Sequence, residues 1–135
     1  MIDYIYKSDF KLDNEVKYTQ WLEKCIDIFG FELGDLTYTF MSDADLLKLN
    51  IEYLDHDTYT DIISFDYTIG EIISGDIMIS VDRVRENADS LGLMFHVELL
   101  RVMSHGVLHY MGFKDKSEIE KNEMRSQEDI FINLF

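Results

Sequence analysis

Two histidines four residues apart, His105 and His109, offer the clearest chemistry in this sequence. They lie in a run from Phe95 to Met111 that is apolar on nearly every side, through Val97, Leu99, Leu100, Val102, Met103, Val107 and Leu108. A helix apolar all round is a buried one, and a buried imidazole needs a partner because desolvating it alone is costly. Four residues of helix place both rings on one face, about 6 Å apart along the axis. That spacing lets both grip one ion. Gly112 supplies the left-handed residue that commonly ends a helix, so the chain turns there and Asp115 can swing back toward the histidines. Two ring nitrogens and one carboxylate make three protein ligands, leaving one corner of a zinc ion for water. The expectation is an open metal site formed by His105, His109 and Asp115.

A His-x-x-x-His pair alone is weak evidence, since it fits two core histidines bonded to backbone carbonyls about as well. Gly106 weighs against that simpler reading. Glycine inside a helix costs about 1 kcal/mol relative to alanine, so its presence implies a close approach at that position. The same residue separates this stretch from the His-Glu-x-x-His metalloproteases, whose glutamate is the general base. No general base stands out. Asp61, Ser64 and His56 are polar residues in or beside a loop, read first as structural, and the catalytic residue stays unknown.

The elements that must hold these residues follow from periodicity and caps. Ile2 to Tyr6 alternates as a strand. Asp13 or Asn14 caps a helix running to about Phe29, with Tyr18, Trp21, Leu22, Cys25, Ile26 and Phe29 on one face. Tyr18 and Trp21 at that spacing belong to the core rather than to a base-stacking platform. Leu36, Tyr38 and Phe40 alternate in a second strand, and Ser42 or Asp43 caps a helix carrying Leu46, Leu47, Asn50, Ile51 and Leu54. The polar loop Asp55-His56-Asp57-Thr58-Tyr59-Thr60-Asp61 runs into the strand Ile62-Ile63-Ser64-Phe65, and loops that abut strands often carry functional groups. A turn at Thr68-Ile69-Gly70 leads to the strand Gly75 to Ser80. Asp82 caps a short helix, Gly92 precedes the histidine helix, and Ser117-Glu118-Ile119-Glu120 forms a capping box that opens a last helix. The prediction is an α+β fold: a mixed sheet of about four strands packed with about five helices, the metal site lying on the long buried helix and the loop after it.

The chain has 135 residues, 47% of them hydrophobic, which is enough for one domain, residues 1–135, with a proper core. No stretch is long and apolar enough to span a membrane, and the N-terminus lacks the pattern of a signal peptide. Cys25 is the single cysteine, which suits a reducing cytoplasm. The net charge of −15 opposes any broad basic surface for nucleic acid. A polyanionic substrate would therefore depend on locally clustered cations around a small metal-centred site.

With these residues set out, the sequence resembles the YbeY family. The family signature, His-Gly-x-Leu-His followed by an apolar pair, glycine, an aromatic, aspartate and histidine, is similar to His105-Gly106-Val107-Leu108-His109-Tyr110-Met111-Gly112-Phe113-Lys114-Asp115. A second stretch, Leu-Asn-x-x-Tyr-Arg leading to Thr-Asp-Val-Leu-Ser-Phe, resembles Leu49-Asn50-Ile51-Glu52-Tyr53-Leu54 and Thr60-Asp61-Ile62-Ile63-Ser64-Phe65. A third resembles Gly75-Asp76-Ile77-Met78-Ile79-Ser80. The departures matter too. The family's third histidine ligand is Asp115 here, its arginine after the tyrosine is Leu54, and its prolines in the middle motif are Tyr59 and Asp66.

The resemblance implies a metal-dependent endoribonuclease of single-stranded RNA, acting in ribosomal RNA processing in the cytoplasm with one Zn²⁺. RNA is the implied partner, with ribosomal or assembly proteins as further candidates. Two histidines and a carboxylate also suit iron or manganese. Loss of the arginine removes charge stabilisation from a site that handles phosphates, so the expectation is either reduced activity or another cation, such as Lys114, Lys116 or Arg101, in its place. A non-enzymatic ribosome-assembly factor with a structural metal is the alternative reading, and a peptide-cutting metalloprotease is a more distant third.

Overall fold

The structure is a computed structural model and describes residues 1–56 and 58–135. Asp57, in the middle of the polar loop, lies outside the described residues. The elements run β1 (Ile2–Tyr6), α1 (Glu15–Ile28), β2 (Glu32–Met41), α2 (Asp43–Leu54), β3 (Ile62–Asp66), β4 (Ile72–Ser80), α3 (Val81–Leu91), α4 (Phe95–Tyr110) and α5 (Glu118–Asn133). The expected mixed sheet and helices are present. The four strands form one sheet in the order β1-β2-β4-β3. β1 and β4 flank β2 in parallel, and β3 closes the sheet antiparallel to β4.

Alternation along the strands gives the sheet two faces. Leu36, Tyr38 and Phe40 of β2 and Ile73, Ile77 and Ile79 of β4 point to one side, where they join Leu22, Ile26, Met103 and Val107 in the main core. On the other side Met41, Ile63 and Met78 meet Leu46 of α2 in a smaller cluster. Tyr18, Trp21 and Cys25 are buried, as the helical spacing predicts. The Trp21 indole N–H donates to the Phe131 carbonyl at 2.7 Å, tying α1 to α5. Burial pushes the Cys25 thiol up to about 12, so it packs as a small apolar group and not as a nucleophile.

Two boundaries differ from the sequence reading. β2 begins at Glu32, ahead of the alternating stretch, because Glu32 and Leu33 still pair with Ile72 and Ile73 of β4 beyond a register shift between Leu33 and Leu36. α3 is capped by Ser80 and not by Asp82: the Ser80 hydroxyl accepts from the Arg83 N–H at 3.1 Å. β4 runs into α3 without a loop, so the cap is the last residue of the strand.

α4 lies against the core face of the sheet at very short range. A methyl group added to Gly106 would stand 2.7 Å from Ile77 Cδ1 and 3.3 Å from Ile62 Cδ1. Gly75 plays the reciprocal part on β4, where a side chain would collide with the Tyr110 ring. The Tyr110 hydroxyl lies 2.9 Å from the Phe65 carbonyl and 3.1 Å from that of Asp76. The Tyr38 hydroxyl donates to the Met103 carbonyl at 2.8 Å. These contacts fix the axial position of the histidine helix on the sheet. No single helix among the described residues is long and apolar enough to cross a membrane.

Candidate metal centre

α4 ends as its sequence requires. Gly112 has φ of +100°, a conformation that favours glycine. The Phe113 N–H donates back to the Leu108 carbonyl at 3.1 Å and the Gly112 N–H to that of His109 at 3.0 Å, the paired bonds of a Schellman turn. This turn does two things for the site. It returns the chain so that Asp115 faces the histidines, and it aims the Phe113 carbonyl at the His109 ring.

His105, His109 and Asp115 come together as the sequence predicts. His105 Nε2 and His109 Nε2 are 2.9 Å apart, and Asp115 Oδ2 lies 3.1 Å from the first and 3.3 Å from the second. Two ligands about 2.0 Å from one ion in tetrahedral array stand about 3.3 Å apart, so this triangle has nearly the dimensions of one face of such a site. Among the described residues it is the one group of three histidine, cysteine or acidic side chains whose ligand atoms all lie within 4.8 Å.

The opposite nitrogens decide what the triangle can hold. His109 Nδ1 faces the Phe113 carbonyl at 3.0 Å, and a carbonyl only accepts, so that nitrogen carries the hydrogen. His105 Nδ1 faces Glu128 Oε2 at 2.7 Å and carries its hydrogen for the same reason. With both rings neutral, two nitrogen lone pairs and a carboxylate oxygen therefore converge with no hydrogen among them. A proton on His105 relieves this in part. Burial opposes that proton, but the hydrogen bond and charge of Glu128, with Asp115 and Asp61 beyond, outweigh burial and hold the imidazole above the ordinary histidine range. A divalent cation satisfies all three acceptors at once, so the donor set fits a metal ion.

Glu128 is the residue that sequence reasoning missed. It is 5% exposed and bridges two partners: Oε2 accepts from His105 and Oε1 from Arg101 Nη1 at 3.0 Å. Arg101 also donates to Asp129 at 2.8 Å. A carboxylate behind a ligating histidine fixes its tautomer and raises its basicity. The signal was present in α5, where Glu128 falls four residues after Met124 and three before Phe131, on the buried face.

An open cleft of about 390 Å³ starts at His105 and Asp115 and runs between α4 and α5. Asp61, Ile62, Glu98, Arg101 and Val102 line one part of it, and Lys121, Met124 and Arg125 another. Of the three loop candidates, Asp61 reaches the cleft, and His56 and Ser64 are not among its lining residues. Asn50 fixes the loop by donating to the Thr58 carbonyl at 2.7 Å, and the Asp61 carbonyl accepts from the Ser80 N–H at 2.9 Å. Burial pushes the Asp61 carboxyl up, against relief from His105. Leu54 is exposed at the end of α2. Arg101, one of the cations expected to replace the family's arginine, is committed to Glu128 and Asp129. Lys121 and Arg125 are the other cations lining the cleft.

Comparison with known proteins shows what the chain is similar to. The family model described as Endoribonuclease YbeY matches residues 5–135. The Endoribonuclease YbeY of Flavobacterium johnsoniae is 50% identical over 135 residues, covering 100% of this chain and 97% of the relative. That of Christiangramia forsetii is 49% identical over 134 residues, covering 99% and 94%. The solution structure of TM1509 from Thermotoga maritima superposes with a TM-score of 0.74 at 22% identity, covering 99% of this chain and 88% of that one. At that identity the last likeness speaks to the fold alone.

Proposed function

The chain belongs to the YbeY endoribonuclease family, and from that premise we propose that residues 1–135 form one domain that cuts single-stranded RNA at a metal centre held by His105, His109 and Asp115, in the processing of ribosomal RNA. The observation that carries this reading is the convergence of three acceptor atoms within 3.3 Å, with both outer ring nitrogens already engaged. We assign the ion as Zn²⁺ on the strength of two imidazoles, one carboxylate and a near-tetrahedral spacing. The unpaired Cys25 supports a cytoplasmic assignment.

A divalent ion bound there supplies Lewis acidity and a nucleophile competent near neutral pH. The protein's own share of the work is positional. Glu128 and the Phe113 carbonyl hold the two imidazoles in one tautomer and orientation, so no reorganisation is needed at the moment of reaction. The walls of α4 and α5 confine the strand, and Lys121 and Arg125 provide the local positive charge that a chain of net charge −15 needs to receive a polyanion.

The test is cleavage of an unstructured RNA by protein loaded with one equivalent of zinc, beside His109→Ala purified identically. Cleavage by the first and none by the second supports the proposal. Equal cleavage by both traces the activity to a contaminant and leaves a binding factor with a structural metal. Elemental analysis of protein purified without an affinity-metal column checks the ion, with zinc expected near one equivalent.

A further inference from the structure

Asp61 reaches the cleft from the end of the loop that follows α2, and that loop is fixed from outside the cleft. The chain has no proline to stiffen residues 58–61, so contacts must hold them. Asn50 of α2 donates to the Thr58 carbonyl at 2.7 Å, and the Ser80 N–H donates to the Asp61 carbonyl at 2.9 Å. Between these two points the Tyr59 ring lies against the Arg83 guanidinium, whose central carbon is 5.4 Å from the ring centre. The negative face of the ring attracts that cation.

Arg83 is itself held at both ends, which makes it a fixed platform and not a wandering surface charge. Its Nη2 donates to Asp43 Oδ2 at 2.8 Å, and its Nη1 pairs with Glu86 at 3.2 Å. Asp43 is fixed in turn, because its other oxygen accepts from the Ser80 hydroxyl at 3.1 Å. Ser80 is fully buried, and its backbone N–H is the group that holds Asp61. Residues 80 and 83, at the junction of β4 and α3, therefore grip residues 61 and 59 of the loop. Tyr59 and Arg83 are not among the residues that line the cleft. Their influence on its chemistry must pass through Asp61.

Resting on the reading of this cleft as the site of RNA cleavage, we propose that Arg83 is a positioning residue for that reaction: stacked on Tyr59, it holds the Asp61 carboxyl in the cleft beside His105. Asp61 is near enough to His105 for the two charges to act on each other, yet it is not one of the three residues whose atoms converge to hold an ion. Its negative charge repels phosphate, so the hold on the strand falls to Lys121 and Arg125. What remains to Asp61 is the chemical step, where a carboxylate oxygen accepts a hydrogen bond from the attacking group. Displacing a group that acts only there lowers kcat and leaves KM in place.

The test is steady-state cleavage of an unstructured RNA by the zinc-loaded protein and by variants at position 59, which is 57% exposed and can be changed without disturbing the core. Tyr59→Ala is expected to lower kcat about tenfold with KM unchanged, since a misplacement of about 1 Å can cost roughly 10²-fold. Tyr59→Phe keeps the ring and should keep the rate. Arg83→Lys, which keeps the charge but loses the planar fork, should behave as Tyr59→Ala does. In Asp61→Asn protein the loss caused by Tyr59→Ala should vanish, because the group being positioned is already gone. Hydrogen exchange reads the clasp without catalysis. The Ser80 amide should exchange about two- to fivefold faster in Tyr59→Ala, the worth of an exposed cation–π contact. A kcat for Tyr59→Ala within about twofold of the unaltered chain overturns the proposal, as does a rise in KM alone or a loss that persists in Asp61→Asn. Faster Ser80 exchange with normal cleavage removes the positioning role and leaves the nuclease. An unaltered chain that cuts no RNA removes the nuclease and the role with it.

Discussion

Glu128 Oε2 lies 2.7 Å from His105 Nδ1, so the last helix of the chain reaches across to set the proton on the histidine helix. Removing that acceptor frees the ring to rotate and to take the wrong tautomer. Partners of this kind are worth roughly 10–100-fold in metal affinity. Glu128→Ala is expected to weaken zinc binding by that factor in competition against a chelator of known affinity. A change of less than twofold would mean that His105 is oriented by packing alone.

The same contact gives the metal site a pH dependence with a definite sign. The folded protein holds His105 above its ordinary value of 6.5. In metal-free protein the protonated ring therefore contributes stability that is fully present below about 6.5 and is lost as pH rises through the folded pKa. Zinc needs the neutral ring, so proton and metal compete. The difference in Tm between zinc-loaded and chelated protein should be smallest in acid, widen as pH climbs through the His105 pKa, and then level off. A difference that is flat or narrows toward alkaline pH would show that His105 does not ligate.

Gly106 makes a prediction through Ile77, which is fully buried and cannot easily retreat. Alanine at 106 gains about 1 kcal/mol of helix propensity but sets a methyl 2.7 Å from Ile77 Cδ1, and overpacking of that kind costs about 1–3 kcal/mol. Gly106→Ala should lose about 1 kcal/mol in urea denaturation. Ile77→Val deletes the methyl that is struck, so in that background the same substitution should become neutral or stabilising. Simple additivity to within about 0.5 kcal/mol would place the helix farther from the sheet.

Much of this site could be read in the sequence because its parts are local. The spacing of His105 and His109 and the glycine turn at 112 act within a dozen residues, and Asp115 follows from them. Glu128 was hidden for the opposite reason. Its meaning depends on α4 and α5 packing together, and a glutamate in an amphipathic helix reads as a solvated charge until its neighbours are placed. The early start of β2 was hidden likewise, since its pairing with β4 is made across 40 residues. Ser80 escaped notice as a helix cap because it also ends a strand, where alternation and capping rules compete for one residue.

The cleft's cations give the last prediction. Lys121 and Arg125 line the cleft within a protein of net charge −15, so any attraction for RNA must be local. Each phosphate neutralised on a single strand contributes about 0.7 to the slope of log affinity against log salt. Lys121→Ala and Arg125→Ala should each flatten that slope by roughly this amount and weaken binding to all single-stranded sequences alike, because a phosphate contact carries no base information. Fluorescence anisotropy with labelled hexamers across a salt series measures both slopes. If Lys121→Ala and Arg125→Ala both leave the slope unaltered, the strand does not enter between α4 and α5, and the RNA must approach the metal centre from another side.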